Sequence, residues 1–214
     1  MSPVMKTEQS PSRRRQLNHE RMLLEILQTA RGIMREKGVA ALSMQELARR
    51  MGMRAPSLYN YFSGLMDVYD ALFRLGFQLW DEHSAAYTQS AKTWQDEIRL
   101  IMEAYMTFAI QNPDLYQLCF ERPVPGFAPS EESMQHSLRS LQAGYARAAK
   151  IFPHLNSDLP AEKIADLVIA FMHGLTALHM ANEPQLPLGQ GRFGGLIPTT
   201  VDLLRRAWAK EDSY

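Results

Sequence analysis

The stretch from Ser43 to Phe62, SMQELARRMGMRAPSLYNYF, constrains this chain most, because it reads as two short helices meeting at a glycine turn. The Ser43 hydroxyl can accept from the amide of Glu46, and Glu46, three residues on, can reach back to the Ser43 amide, so a helix is expected to begin at Met44. Met44, Leu47, Ala48 and Met51 recur at helical spacing as its apolar stripe, with Gln45, Glu46, Arg49 and Arg50 facing away. Gly52 can end that helix at positive φ, and Pro56 suits the first turn of a second one running to about Phe62. Leu58 and Phe62 then face inward, which leaves Arg54, Ala55, Ser57, Tyr59, Asn60 and Tyr61 outward. Such a surface suits the major groove, where Arg and Gln pair with base edges and hydroxyls hold phosphates. From the turn alone an ordinary helical hairpin remains an equal reading.

The rest of the pattern separates the two. Gly38 after a first helix, Ser43, Leu47-Ala48, Gly52 and then Ser57-Leu58-Tyr59-Asn60-Tyr61-Phe62 resemble the DNA-binding signature of TetR-type transcriptional regulators, over about Leu23 to Leu72. The resemblance implies base contacts from Gln45 and Arg54, with Ser57 and Asn60 beside them, phosphate contacts from Ser43, Tyr59 and Tyr61, and a thymine methyl against Ala55 and Pro56. One position departs from the family pattern: Leu65 stands where a phosphate-binding lysine is usual. A helix-turn-helix module that has turned to protein interaction is therefore the alternative reading.

Net charge is zero, which masks an asymmetry. Residues 1–80 carry 12 Lys and Arg against 7 Asp and Glu, while residues 81–214 carry 11 against 16. The basic half holds the helix pair, as phosphate binding requires. With 46% hydrophobic and 21% charged residues the chain has the composition of a globular protein. A single cysteine, Cys119, excludes an internal disulfide and points to a reducing cytoplasm. The N-terminus lacks the apolar segment of a signal peptide, and the most apolar run, about Leu167 to Ala181, is shorter than the ~20 residues of a membrane span, so no membrane association is expected.

Three regions follow: a mobile basic arm over 1–16 with Arg13-Arg14-Arg15, a three-helix DNA-binding domain over 17–64, and an α-helical regulatory and dimerisation domain over 65–214, entered through a connecting helix at 65–88. The fold class expected is all-α. The second half is broken by Asn112-Pro113, by the loop Arg122 to Ser130 and by the loop Glu183 to Gly195. Two apolar helices, Ala161 to Asn182 and Leu196 to Ala209, carry more apolar surface than one chain needs, and the resemblance implies a homodimer, which would set two recognition helices about 34 Å apart on a double-stranded DNA operator.

A small-molecule effector is also implied. Inward Met and aromatic residues read first as core, and the resemblance implies that a subset of Met102, Tyr105, Met106, Tyr116, Phe120, Phe127, Met134, Tyr145, Phe171, Met172 and His173 lines a cavity, with Tyr105, Tyr145 and His173 as polar handles. Phe171-Met172-His173-Gly174 looks like the Trp-x-x-His-Gly region of one TetR C-terminal group, without its Trp. Catalysis, a metal and a cofactor are not expected: Cys119 lies in an apolar segment, and His173 and His179, six apart, fall on different helix faces.

Overall fold

The computed structural model describes residues 11–208, with side chains from residue 13. Every regular element among these residues is helical. Helix α1 spans Pro11–Lys37, six residues earlier than the pattern predicts, because Pro11 suits a first turn and the arginine run needs no apolar partner to continue a helix. Residues 11–16 of the expected arm are thus helical, and residues 1–10 lie outside the described residues. Ile26, Ala30, Ile33 and Met34 form the buried face of α1. Gly38, at φ 91°, ends it and leads into a single 3-10 turn, Val39–Ala41.

Helices α2 (Met44–Arg50) and α3 (Ala55–Leu58) pack on α1 through Leu47, Ala48, Leu58 and Phe62. Gly52, at φ 63°, makes the turn between them. The second helix stops at Leu58 rather than Phe62. Beyond it the chain tightens into turns, with the Tyr61 amide on the Leu58 carbonyl at 2.9 Å and the Phe62 amide on the same oxygen at 3.1 Å.

Helix α4 (Leu65–Thr88) belongs to both halves of the protein. Its first turns bury Val68, Tyr69 and Leu72, and the Tyr69 hydroxyl donates to the Val39 carbonyl at 2.7 Å. Its later turns bury Phe77 and Trp80. Helix α5 (Trp94–Gln111) starts at Thr93, whose hydroxyl accepts from the Asp96 amide at 3.1 Å. Helix α6 (Pro113–Tyr116) runs into a π turn over Gln117–Glu121, closed by the Arg122 amide on the Gln117 carbonyl at 3.2 Å. Asp114, on α6, accepts from Arg31 and Arg35 of α1 and so fastens the first helix to the second half.

Helix α7 (Glu131–Ile151) is capped by Ser130, whose amide and hydroxyl both donate to Asp70 of α4. Helix α8 (Ala161–Asn182) packs on α5, α7 and the short α9 (Gly191–Gly194), and α10 (Ile197–Trp208) packs on α5. At 22 residues and a mean hydropathy of 1.5, α8 has the length and composition of a membrane span, more than the apolar run of the sequence suggested. Only part of its surface is covered. Leu167, Phe171 and Leu178 on α8 stay exposed, as do Leu196 and Leu203 at α10.

Candidate DNA-reading face and effector cavity

The helix pair presents its polar residues as a continuous outward surface. Gln45, Arg54, Pro56, Tyr59 and Asn60 are exposed, and Ser43, Ala55, Ser57 and Tyr61 are half-buried. Ser43 caps α2, its hydroxyl accepting from the Glu46 amide at 3.2 Å. The reciprocal bond expected from Glu46 does not form. That carboxylate is taken by Arg49 at 2.8 Å, Lys37 at 2.8 Å and Arg50 at 3.0 Å, which together hold it well below the usual carboxylate range. Arg50 also pairs with Glu36 at 2.6 Å.

These pairs change the meaning of the basic N-terminal half. Lys37, Arg49 and Arg50 are neutralised by Glu46 of α2 and Glu36 of α1, and Arg31 and Arg35 are committed to Asp114. Arg54 makes no ion pair among the described residues, and it sits at the start of α3 where it can turn outward. Tyr61, expected on the outer face, instead stacks on His19 of α1 with ring centroids 5.0 Å apart, so it braces α3 as well as bordering the surface. Leu65 packs against the core, which gives the departure from the family pattern a structural use.

A cavity of about 770 Å³ lies between α4, α5, α7 and α8. Of the residues expected to line it, Tyr105, Phe120, Met134, Met172 and His173 do so. The others face elsewhere. Met102 and Met106 are buried in the core, and Tyr116 is buried behind Tyr105, with ring centroids 5.7 Å apart. Phe127 covers Tyr69 and Phe73. Tyr145 donates to Asp166 at 3.0 Å away from the lining, and Phe171 points outward because α8 is apolar around most of its circumference.

Lining residues that the sequence pattern did not single out include Phe77 and Trp80 of α4, Ile98 and Ile101 of α5, and the ion pair Glu97–Arg147. The Arg147 Nε lies 3.1 Å from Glu97. Further along, the Tyr105 hydroxyl and His173 Nδ1 are 3.0 Å apart. Burial raises the Tyr105 phenol, so it stays protonated and can donate. Cys119 is buried beside this region, its thiol pushed up by burial and then by the Asp114 charge, with Sγ on the Phe73 carbonyl at 3.6 Å. Its surroundings are those of an inert thiol.

Comparison with known proteins gives this geometry a family. The model described as "Bacterial regulatory proteins, tetR family" matches residues 26–72, and "Tetracyclin repressor-like, C-terminal domain" matches residues 98–193. The chain belongs to the TetR family. A relative in Bacillus subtilis, the uncharacterized HTH-type transcriptional regulator YobS, is 31% identical over 93 residues, covering 43% of this chain and 48% of its own length. This chain spans about half the length of the sequence relatives it matches. A solved structure from Rhodococcus sp. RHA1 aligns with a TM-score of 0.71 at 20% identity, over 86% of this chain and 93% of that one. The regulator FadR from Bacillus subtilis, solved in complex with stearoyl-CoA, aligns with a TM-score of 0.63 at 13% identity, over 85% and 96%. At these identities the structural likeness is one of fold.

Proposed function

We propose that the chain is a sequence-specific DNA-binding transcriptional regulator, a repressor that leaves its operator when a small, largely apolar molecule enters the cavity. Residues 17–64 form the reading unit, with Gln45, Arg54, Ser57 and Asn60 toward bases and Ser43, Tyr59 and Tyr61 toward phosphates. Residues 65–214 form the regulatory and dimerisation part. The observation that carries this reading is α4: one helix bonds to Val39 beside the helix pair through Tyr69 and walls the cavity through Phe77 and Trp80. A molecule pressed against Trp80 acts on the same rigid body that holds the reading unit. A preference of about 3 kcal/mol for the DNA-incompetent arrangement changes operator affinity roughly 150-fold.

A second copy of the chain covers the exposed stripe of α8 and α10 and sets the spacing of the two reading units. That FadR was solved with stearoyl-CoA supports an apolar effector in this fold. The test is selection of duplexes from a random pool at stated salt. Enrichment of a two-fold symmetric site supports the reading, and retention of no preferred sequence overturns it. The rival, a protein-interaction module, draws on Leu65 and on the internal pairing of Arg49 and Arg50, and it requires that duplex affinity be absent even at low salt.

A further inference from the structure

The cavity has polar groups at its two ends and apolar walls between. On α5, Glu97 and Tyr105 are eight residues apart, about 12 Å along the axis, with Ile98 and Ile101 between them on the lining. On α8, Val168, Ile169 and Met172 supply the facing apolar wall, ending at His173.

At one end Arg147 is only half used. Its Nε is engaged by Glu97, but Nη1 is buried with no hydrogen-bond partner among the described residues, which leaves the Nη end of the guanidinium, the edge that suits a bidentate oxygen pair, without its protein acceptor at Nη1. Three arginines stand against two carboxylates in the lining, Arg122, Arg139 and Arg147 against Asp81 and Glu97, a balance that favours an anion over a cation. At the other end, Tyr105 takes His173 Nδ1, and Nε2 has no hydrogen-bond partner among the described residues, which leaves it available to a ligand oxygen.

We infer that the cavity takes an elongated, largely apolar monocarboxylate, its carboxylate on the Nη1–Nη2 edge of Arg147 and a hydroxyl or carbonyl at its far end on His173. This inference rests on the effector role proposed for the cavity and names the chemistry of the effector. The apolar body fills the wall between Ile101 and Val168, and the two ends fix its direction.

The test needs no DNA. Decanoate, ω-hydroxydecanoate and decanol are titrated into the full chain by calorimetry, with Trp80 in the lining as a second, fluorescent readout. Decanoate is expected to bind at least tenfold tighter than decanol, and ω-hydroxydecanoate tighter than decanoate. Arg147→Gln should erase the preference for decanoate over decanol while decanol affinity holds, and His173→Phe should erase only the gain from the ω-hydroxyl. Equal affinities for decanoate and decanol in the unaltered protein, or no binding of either, overturn the inference without reliance on any variant. A separate measurement on the selected duplex keeps the two readings apart. Carboxylate binding in this pattern without release of DNA removes the effector role and leaves the site, whereas release by neutral molecules alone removes the site assignment and leaves the regulator.

Discussion

Asp114 accepts from Arg31 Nε at 2.7 Å and from Arg35 Nε at 2.8 Å, so a single buried carboxylate holds two turns of α1 against α6. Its side chain is fully buried, whereas those of Arg31 and Arg35 are 18% and 44% exposed. Charge-assisted bonds of this kind are worth more than neutral ones. Asp114→Asn is expected to lower unfolding stability by about 2 kcal/mol, read as a shifted urea midpoint. Arg35→Ala should cost less than Arg31→Ala, since water already reaches Arg35.

Gly76 faces Cys119 so closely that a Cβ there would overlap Sγ, with Leu115 Cβ behind at 3.6 Å. Gly76→Ala is expected to destabilise by about 1–3 kcal/mol through overpacking. Adding Cys119→Ala should recover most of that loss. Chemical denaturation of the four proteins of this cycle tests the pair, and purely additive losses would show that the contact is not the cause.

Asp70 gives α7 a pH dependence. Burial raises its carboxyl, but bonds from the Ser130 amide and from the Ser133 and Ser130 hydroxyls, with Arg74 nearby, outweigh this and hold it below its ordinary 3.8. A depressed carboxylate contributes stability that is present above the unfolded value and lost as pH falls through the folded one. The α4–α7 junction should therefore hold at neutral pH and loosen in acid below 3.8. Denaturation midpoints across that range should fall more steeply for the unaltered protein than for Asp70→Asn.

Arg54 is expected to read a base. With Arg54→Ala, affinity for the selected duplex should drop by about 1–3 kcal/mol and preference should relax at one position of each half-site. Tyr59→Phe should weaken all duplexes alike. Mobility shifts on a panel of single-base variants separate the two patterns.

Phe171 and Leu178 stand exposed, at 43% and 46%, on one stripe of α8, with Gly174 between them open to a close neighbour. Phe171→Glu is expected to give a monomer in sedimentation at concentrations where the unaltered chain is a dimer, and to abolish binding to a two-half-site duplex.

Much of this architecture was written in short-range rules. Ser43, Gly52, Thr93 and Ser130 each fix a helix start or turn through their own backbone neighbours, and α2 begins at Met44 as its cap predicts, while α4 and α8 fall at the expected 65–88 and Ala161–Asn182. The cavity was less legible because it depends on which of two apolar faces turns inward. On α8 both faces are apolar, so Met172 and Phe171 look alike in sequence and part company only in the packed protein. Arg147 escaped notice for the opposite reason: near the end of α7, among alanines and lysine, it reads as solvated. It stands three and four residues after Gly144 and Ala143 and four before Ile151, and those helical neighbours line the cavity with it. The partners of Glu46 are also tertiary in part, since Lys37 comes from another helix.

The double duty of α4 bears on how such a chain can change. A substitution at Phe77 or Trp80 alters the cavity and, through the same helix, the seat of Tyr69 under the reading unit, so it is judged twice by selection. On the proposed reading, substitutions on the cavity-facing sides of α7 and α8, away from the Phe171–Leu178 stripe and from the Ser130 and Ser133 bonds to Asp70, are judged on the effector alone. New effector preferences can thus accumulate on those two helices, Arg147 and His173 included, while the operator stays the same.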